Sequence, residues 1–97
     1  MLKLENNQHE IVKGILNKYP YQFYAYGSRA KGTARQFSDL DLCYQEDIPS
    51  YEWVQIEGEL QDSDLPFMVD LVPWESMRPA FRERIQKDLT LISPLNG

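Results

Sequence analysis

Two aspartates one residue apart, Asp39 and Asp41, stand in the stretch SDLDLCY at residues 38 to 44, where polar and apolar side chains alternate. In a β-strand such a pair projects from one face, about 6 to 7 Å apart along the backbone. The carboxylates would repel each other unless cations neutralised them, and carboxylate oxygens are preferred ligands of Mg²⁺. Two metal ions about 3.5 to 4 Å apart suit phosphoryl transfer. The pair therefore predicts a divalent-metal site for phosphoryl chemistry.

A third carboxylate, Asp70, is the one charge inside the apolar stretch FMVDLV at residues 67 to 72. Taken alone it could be an ion-paired or strand-end carboxylate, but its combination with the other two favours catalysis. If its strand lies beside the strand of Asp39 and Asp41, all three side chains can converge on one metal site. We therefore assign Asp39, Asp41 and Asp70 to metal binding and catalysis.

Gly27 and Ser28 form a candidate phosphate-binding turn after the aromatic stretch YQFYAY. A glycine lets the backbone come close to a ligand, and a helix start presents free N–H groups. The Ser28 hydroxyl can donate one more hydrogen bond. Arg29, Lys31 or Arg35 could balance the charge of a triphosphate, and we assign Arg29 to nucleotide binding together with Gly27 and Ser28.

Other phosphate-binding motifs fail on the same residues. The run GSRAKGT resembles a Walker A spacing but lacks the lysine between its second glycine and the threonine. There is no G-x-G-x-x-G, so a dinucleotide fold has no support. A second Asp-x-Asp, Asp62-Ser63-Asp64, lies in a polar stretch without a phosphate turn upstream, and we predict that it faces solvent.

Helical and strand patterns alternate along the chain and must position these residues. They predict the order α-β-α-β-α-β-α, an α/β (α+β) fold in which helices pack on a small mixed sheet. Cys43 is predicted to be a small buried apolar residue. The predicted elements are a helix from Glu5 to Tyr19, strands over 21–26, 38–44 and 67–72, a helical turn ending near Gly32, a helix N-capped by Ser50, and a helix from Pro79 with Phe81, Ile85 and Leu89 at helical spacing.

Composition and charge restrict the class of protein. Residues 1–97 are expected to form a single domain, because no linker or shift in composition divides them. Ten Lys and Arg against fifteen Asp and Glu give a formal charge of -5, which opposes direct binding to nucleic acid. No stretch has the length of a signal peptide core or a membrane span. With a single cysteine in the chain, we expect a cytoplasmic location.

The spacing of the two motifs resembles a known family signature. Gly27-Ser28 is followed by ten residues and then by Asp39-Leu40-Asp41, as in the polymerase-β-type nucleotidyltransferase superfamily. The form GSRAKGTA and the short chain are most similar to its minimal nucleotidyltransferase branch. The resemblance covers residues 21 to 72 directly. It implies that Ser28 contacts the nucleotide phosphates and that Asp39 and Asp41 bind two Mg²⁺ ions.

The same resemblance implies a reaction and a partner. Asp70 matches the third carboxylate of the family and would help to activate a hydroxyl that attacks the α-phosphate of ATP, with pyrophosphate as the leaving group. Family members of this size are antitoxins that adenylylate a tyrosine of a HEPN-domain RNase toxin. The alternatives are a non-catalytic antitoxin that only covers the toxin, and a nucleotidyltransferase acting on a small molecule.

Overall fold

Four β-strands form one sheet in the computed structural model, which describes residues 2–93. In chain order the strands are β1 (Phe23–Tyr26), β2 (Leu40–Tyr44), β3 (Val69–Pro73) and β4 (Thr90–Ser93). The order across the sheet is β3-β2-β1-β4. Strands β2 and β3 are parallel, whereas β1 is antiparallel to both of its neighbours. The predicted small mixed sheet is therefore confirmed.

Helices connect these strands and begin or end where the sequence contains local signals. They are α1 (Asn6–Leu16), α2 (Ser28–Lys31), α3 (Ser50–Gln61) and α4 (Pro79–Gln86), with a 3₁₀ helix at Trp74–Ser76. Gly32 ends α2 in the left-handed conformation, at φ 81°. Pro79 occupies the first turn of α4, as predicted. The prediction for Ser50 is wrong, because Pro49 is the N-cap and Ser50 is already the first helical residue.

The two faces of β2 contact different apolar clusters, as its alternating sequence predicts. Leu40, Leu42 and Tyr44 pack in the larger cluster, which also contains Val12 of α1 and the α3 residues Ile56 and Leu60. Cys43 is fully buried in a smaller cluster on the other face, with Tyr26, Met77 and Ile85. The prediction that Cys43 is a buried apolar residue is therefore confirmed. Asp41 lies on the same face as Cys43 by strand alternation.

The end of the described chain differs from the predicted order. The helix from Pro79 ends at Gln86, and Leu89 packs in the smaller cluster just before β4, a strand that the sequence pattern did not predict. Strand β4 pairs antiparallel with β1 and so forms one edge of the sheet. Between residues 2 and 93, the helices are all too short or too polar to cross a lipid bilayer.

Candidate active site

The turn between β1 and α2 carries Gly27 and Ser28. Strand β1 ends at Tyr26, Gly27 adopts φ 77° and ψ −157°, and α2 begins at Ser28. Lys31 N–H donates to the Gly27 carbonyl at 3.0 Å, and Thr33 N–H donates to the Ser28 carbonyl at 2.9 Å. These two bonds close a single tight helical turn, which holds the Ser28 side chain at the end of β1.

Gly27 also lies against the carboxylate of Asp41. A Cβ atom added at Gly27 would lie 2.5 Å from Asp41 Oδ2, which is shorter than any contact that a real Cβ atom tolerates. The positive φ of Gly27 is a second obstacle to a side chain at this position. The sequence suggested that this glycine allows close approach of a ligand, and the structure shows that it also allows close approach of Asp41.

Asp41 and Asp70 stand directly opposite each other on neighbouring strands. Strands β2 and β3 are paired in parallel with Asp41 in register with Asp70. Adjacent strands lie about 4.8 Å apart, so the two side chains leave the same face of the sheet side by side. Asp41 is half-buried and Asp70 is exposed. The expected adjacency of the two strands is thus present, while the catalytic roles of the two aspartates stay predictions.

Asp39 occupies a different environment from the one that the sequence pattern predicted. It lies one residue before β2 rather than inside the strand, and its side chain is exposed. The next residue, Leu40, donates its N–H to the Met68 carbonyl at 2.9 Å and so joins this segment to the start of β3. Asp39 therefore stands at the solvent edge of the pair formed by Asp41 and Asp70.

The charges of Asp70 and Asp39 act on Asp41. Burial, followed by the charges of Asp70 and Asp39, raises the pKa of Asp41 from 3.8 to about 6. On the other side of Asp41, Tyr26 is its partner in the pairing of β1 with β2. Burial and then the charge of Asp41 raise the pKa of Tyr26 to about 12, so its hydroxyl keeps its proton at neutral pH. Tyr26 is a neighbour of the site that the sequence did not identify, because strand register cannot be read from one strand alone.

The oxygen donors at this position fit a divalent cation. Asp41 and Asp70 side by side, with Asp39 acting on Asp41, are hard ligands that Mg²⁺ accepts, and a cation would relieve the repulsion at Asp41. Within residues 2–93, however, no three acidic, histidine or cysteine side chains stand together in an arrangement ready to hold a metal ion. Asp41 and Asp70 therefore form the close pair, and Asp39 is the ligand that would have to turn toward them.

Arg29 is buried and bonded within the protein, which argues against its predicted role in nucleotide binding. Its side chain is only 3 % exposed, and its guanidinium lies 4.0 Å from the centre of the Phe67 ring. It donates to the carbonyl oxygens of Ser38 and Lys3, among others. These bonds engage Nε, Nη1 and Nη2 with backbone carbonyls, and burial shields the guanidinium from solvent. Lys31 and Arg35, the alternatives left open by the sequence, are exposed.

The chain resembles known proteins over most of its length. Residues 10–94 match the family model described as "Polymerase beta, Nucleotidyltransferase". The chain is 36% identical over 95 residues to "Probable protein adenylyltransferase MntA" of Haemophilus influenzae, an alignment that covers 94% of this chain and 83% of the relative. A crystal structure of a candidate nucleotidyltransferase from Sulfolobus solfataricus superposes with a TM-score of 0.47 at 19% identity, covering 86% of this chain and 73% of the other. The family match includes all four strands and therefore both strands of the aspartate pair.

Proposed function

The chain belongs to the polymerase-β-type nucleotidyltransferase family, in its minimal branch, and we propose that it transfers AMP from ATP to a hydroxyl group of a partner protein. Family membership makes it a nucleotidyltransferase enzyme. The protein acceptor is inferred from the name of the Haemophilus influenzae relative, a protein adenylyltransferase. In this proposal residues 1–97 act as a single catalytic domain in the cytoplasm.

The observation that carries the proposal is the pairing of Asp41 with Asp70 beside Gly27 and Ser28. The parallel register puts the two carboxylates next to each other, and Asp41 also adjoins the turn that would bind phosphate. Nucleotidyl transfer needs these two functions close together, because the α-phosphate must lie within reach of the groups that stabilise its developing charge.

Each residue has a distinct proposed role. Asp39, Asp41 and Asp70 would hold two Mg²⁺ ions, which when bound neutralise the phosphate charges and polarise the α-phosphate. Ser28 would donate its hydroxyl hydrogen to a phosphate oxygen, with Gly27 keeping the turn close to Asp41. The acceptor oxygen forms a bond to the α-phosphorus as the bond to the β-phosphate oxygen breaks. Asp70, the more exposed of the pair, would accept the hydroxyl proton, and pyrophosphate leaves.

The biological role that fits this reaction is that of an antitoxin. We propose that the acceptor is a tyrosine of a HEPN-domain RNase toxin, and that the added AMP silences it. Support comes from the resemblance of the motifs and from the relative named MntA. The excess of acidic over basic residues also makes a protein acceptor more suitable than a polyanion.

The direct test is a mass measurement on the toxin. The purified protein is incubated with the product of the adjacent gene, ATP and Mg²⁺, and the intact mass of that product is recorded. We expect an increase by one adenylyl group on a tyrosine, and no increase with Asp41→Asn or when EDTA replaces Mg²⁺. An unchanged mass with the wild-type protein would contradict the proposal.

A second candidate function is neutralisation by complex formation alone. It is favoured by one observation, namely that the described residues contain no ready-made group of three metal ligands. The two functions differ in a cell-survival assay with the Asp39→Asn/Asp41→Asn double variant. Loss of protection by a variant that still binds the toxin supports catalysis, whereas full protection supports simple binding.

A further inference from the structure

Arg29 is a buried cation in the turn that carries Ser28, and its guanidinium donates to backbone carbonyls. Its Nε and Nη2 donate to the Ser38 carbonyl at 3.0 and 2.8 Å, and Nη2 also donates to the Gln36 carbonyl at 3.2 Å. Nη1 donates to the Lys3 carbonyl at 2.8 Å. The segment that leads to Asp39 therefore closes around one guanidinium group.

The carbonyl of Ser38 belongs to the same peptide unit as the nitrogen of Asp39. Because a peptide unit is planar, two hydrogen bonds to the Ser38 oxygen fix the orientation of the peptide plane that contains the Asp39 nitrogen. On the other side of Asp39, the bond from Leu40 N–H to the Met68 carbonyl ties the chain to β3. Asp39 has an exposed side chain on a backbone that is held from both sides.

Arg29 also adjoins Ser28 in the single turn of α2. One side chain thus connects the turn assigned to phosphate with the residue assigned to metal. Contact with the Phe67 ring and burial keep the guanidinium in this place. Burial lowers the pKa of Arg29, and the negative charge of Asp39 opposes that effect.

We propose that Arg29 is a positioning residue that sets the distance between Ser28 and Asp39 and so completes the metal site. This inference rests on the proposed function in assigning metal binding to Asp39. Arg29 does not touch the nucleotide or the metal in this role, and it acts through the Ser38 carbonyl. The role requires arginine, because its guanidinium presents several N–H donors in a fixed planar arrangement. A lysine ammonium has three donors on one nitrogen and cannot reach the Ser38, Gln36 and Lys3 carbonyls in the same way.

The test compares Arg29→Lys with Arg82→Lys. Arg82 is a matched control, because its Nε and Nη2 also donate to backbone carbonyls, those of Met77 and Glu75, and its guanidinium lies 6.0 Å from the centre of the Trp74 ring. Binding of Mn²⁺ is measured by electron paramagnetic resonance with a non-hydrolysable ATP analogue present, and thermal unfolding is recorded for each variant. We expect Arg29→Lys to bind Mn²⁺ about 10-fold to 100-fold more weakly, as for other residues that orient metal ligands, and Arg82→Lys to bind it like the wild type.

The outcomes separate this inference from the proposed reaction. Equal Mn²⁺ affinity of folded Arg29→Lys and wild type overturns the role of Arg29, whatever the transfer activity. A wild type that binds Mn²⁺ but adenylylates no protein overturns the reaction and leaves the Arg29 result standing. If Arg29→Lys does not fold, Phe67→Leu decides, since it removes the ring that the Arg29 guanidinium packs against at 4.0 Å and so loosens the guanidinium without changing its donors. Wild-type Mn²⁺ affinity in that variant overturns the inference, and weaker affinity supports it.

Discussion

Gly27 and Asp41 approach each other so closely that no side chain fits between them. The position of a Cβ atom on Gly27 would be 2.5 Å from Asp41 Oδ2 and 3.5 Å from Asp41 Cγ. The Gly27-Ser28 turn and the Asp41 carboxylate are therefore in direct contact, although they are separated by more than ten residues in the sequence. Glycine at position 27 therefore allows both the positive φ of the turn and the close approach of the Asp41 carboxylate.

We expect Gly27→Ala to abolish most of the transfer activity. The added methyl group must displace the Asp41 carboxylate, and a shift of about 1 Å in a reacting group can cost about 100-fold in rate. Gly27 has φ 77° and ψ −157°, a conformation essentially restricted to glycine, so alanine there adds strain of about 1 to 3 kcal/mol to the folded state. Rates of AMP transfer and urea unfolding curves measure the two effects separately.

Gly58→Ala is the control for this variant. Gly58 lies within α3, and a Cβ atom there would meet nothing within 4 Å. Alanine at an exposed helical position is favoured over glycine by about 1 kcal/mol, so this variant should be as active as the wild type and at least as stable. Equal activity of Gly27→Ala and Gly58→Ala would show that transfer does not require the close contact between Gly27 and Asp41.

The paired aspartates are tested one at a time against an aspartate outside the site. Asp41→Asn and Asp70→Asn should each reduce transfer to background, because each removes a negative oxygen ligand from the close pair. Asp64→Asn changes the charge by the same amount in an exposed loop and should leave the rate unchanged. Rates are measured with Mg²⁺ in excess over ATP, and an active Asp70→Asn would remove Asp70 from the proposed mechanism.

The period-two pattern of residues 38 to 44 was sufficient to assign the two faces of β2. Leu40 and Leu42 enter the larger cluster and Cys43 the smaller one, as alternation requires. The same pattern does not determine which residues of β2 pair with which residues of β3, because β3 lies far along the chain. The pairing of Asp41 with Asp70 could therefore be stated only as a condition, and the structure supplies it.

Arg29 and β4 show what a single sequence does not contain. A basic residue beside a phosphate turn suggests a ligand, but the sequence gives only its charge and not its direction. Arg29 turns inward because the carbonyls of the segment before β2 have no strand partners and need donors. For β4, helical spacing continued to Leu89 and concealed the start of a four-residue strand at Thr90.

Cys43 should be inert toward alkylating reagents in the folded protein. Its thiol is fully buried, and burial raises its pKa to about 11, so the reactive thiolate is absent at neutral pH. Cys43→Ala should retain transfer, whereas Cys43→Ser places a hydroxyl in an apolar cluster and should be less stable than the alanine variant by about 1 to 3 kcal/mol. Iodoacetamide labelling and urea unfolding test both statements. Rapid labelling of the native protein would show that the thiol is accessible.

Asp41 should make the metal-free protein less stable as pH rises. Its pKa is 3.8 when unfolded and about 6 when folded, so between these values the folded state binds more protons than the unfolded state. The free energy of unfolding contributed by this group therefore falls as pH rises through that window, and the loss is complete above pH 6. Asp41→Asn removes the titration, so this variant should be more stable than the wild type at neutral pH in EDTA.

The measurement is the difference in unfolding free energy between Asp41→Asn and the wild type, followed by urea titration across that pH range. Taking the difference cancels the titration of the other acidic groups. We expect the difference to increase with pH and then to level off. Saturating Mg²⁺ with an ATP analogue should reverse its sign, because a ligand that binds only the folded wild type stabilises it. A difference that is independent of pH would mean that neither the burial of Asp41 nor the charges of Asp70 and Asp39 raise its pKa in the folded protein.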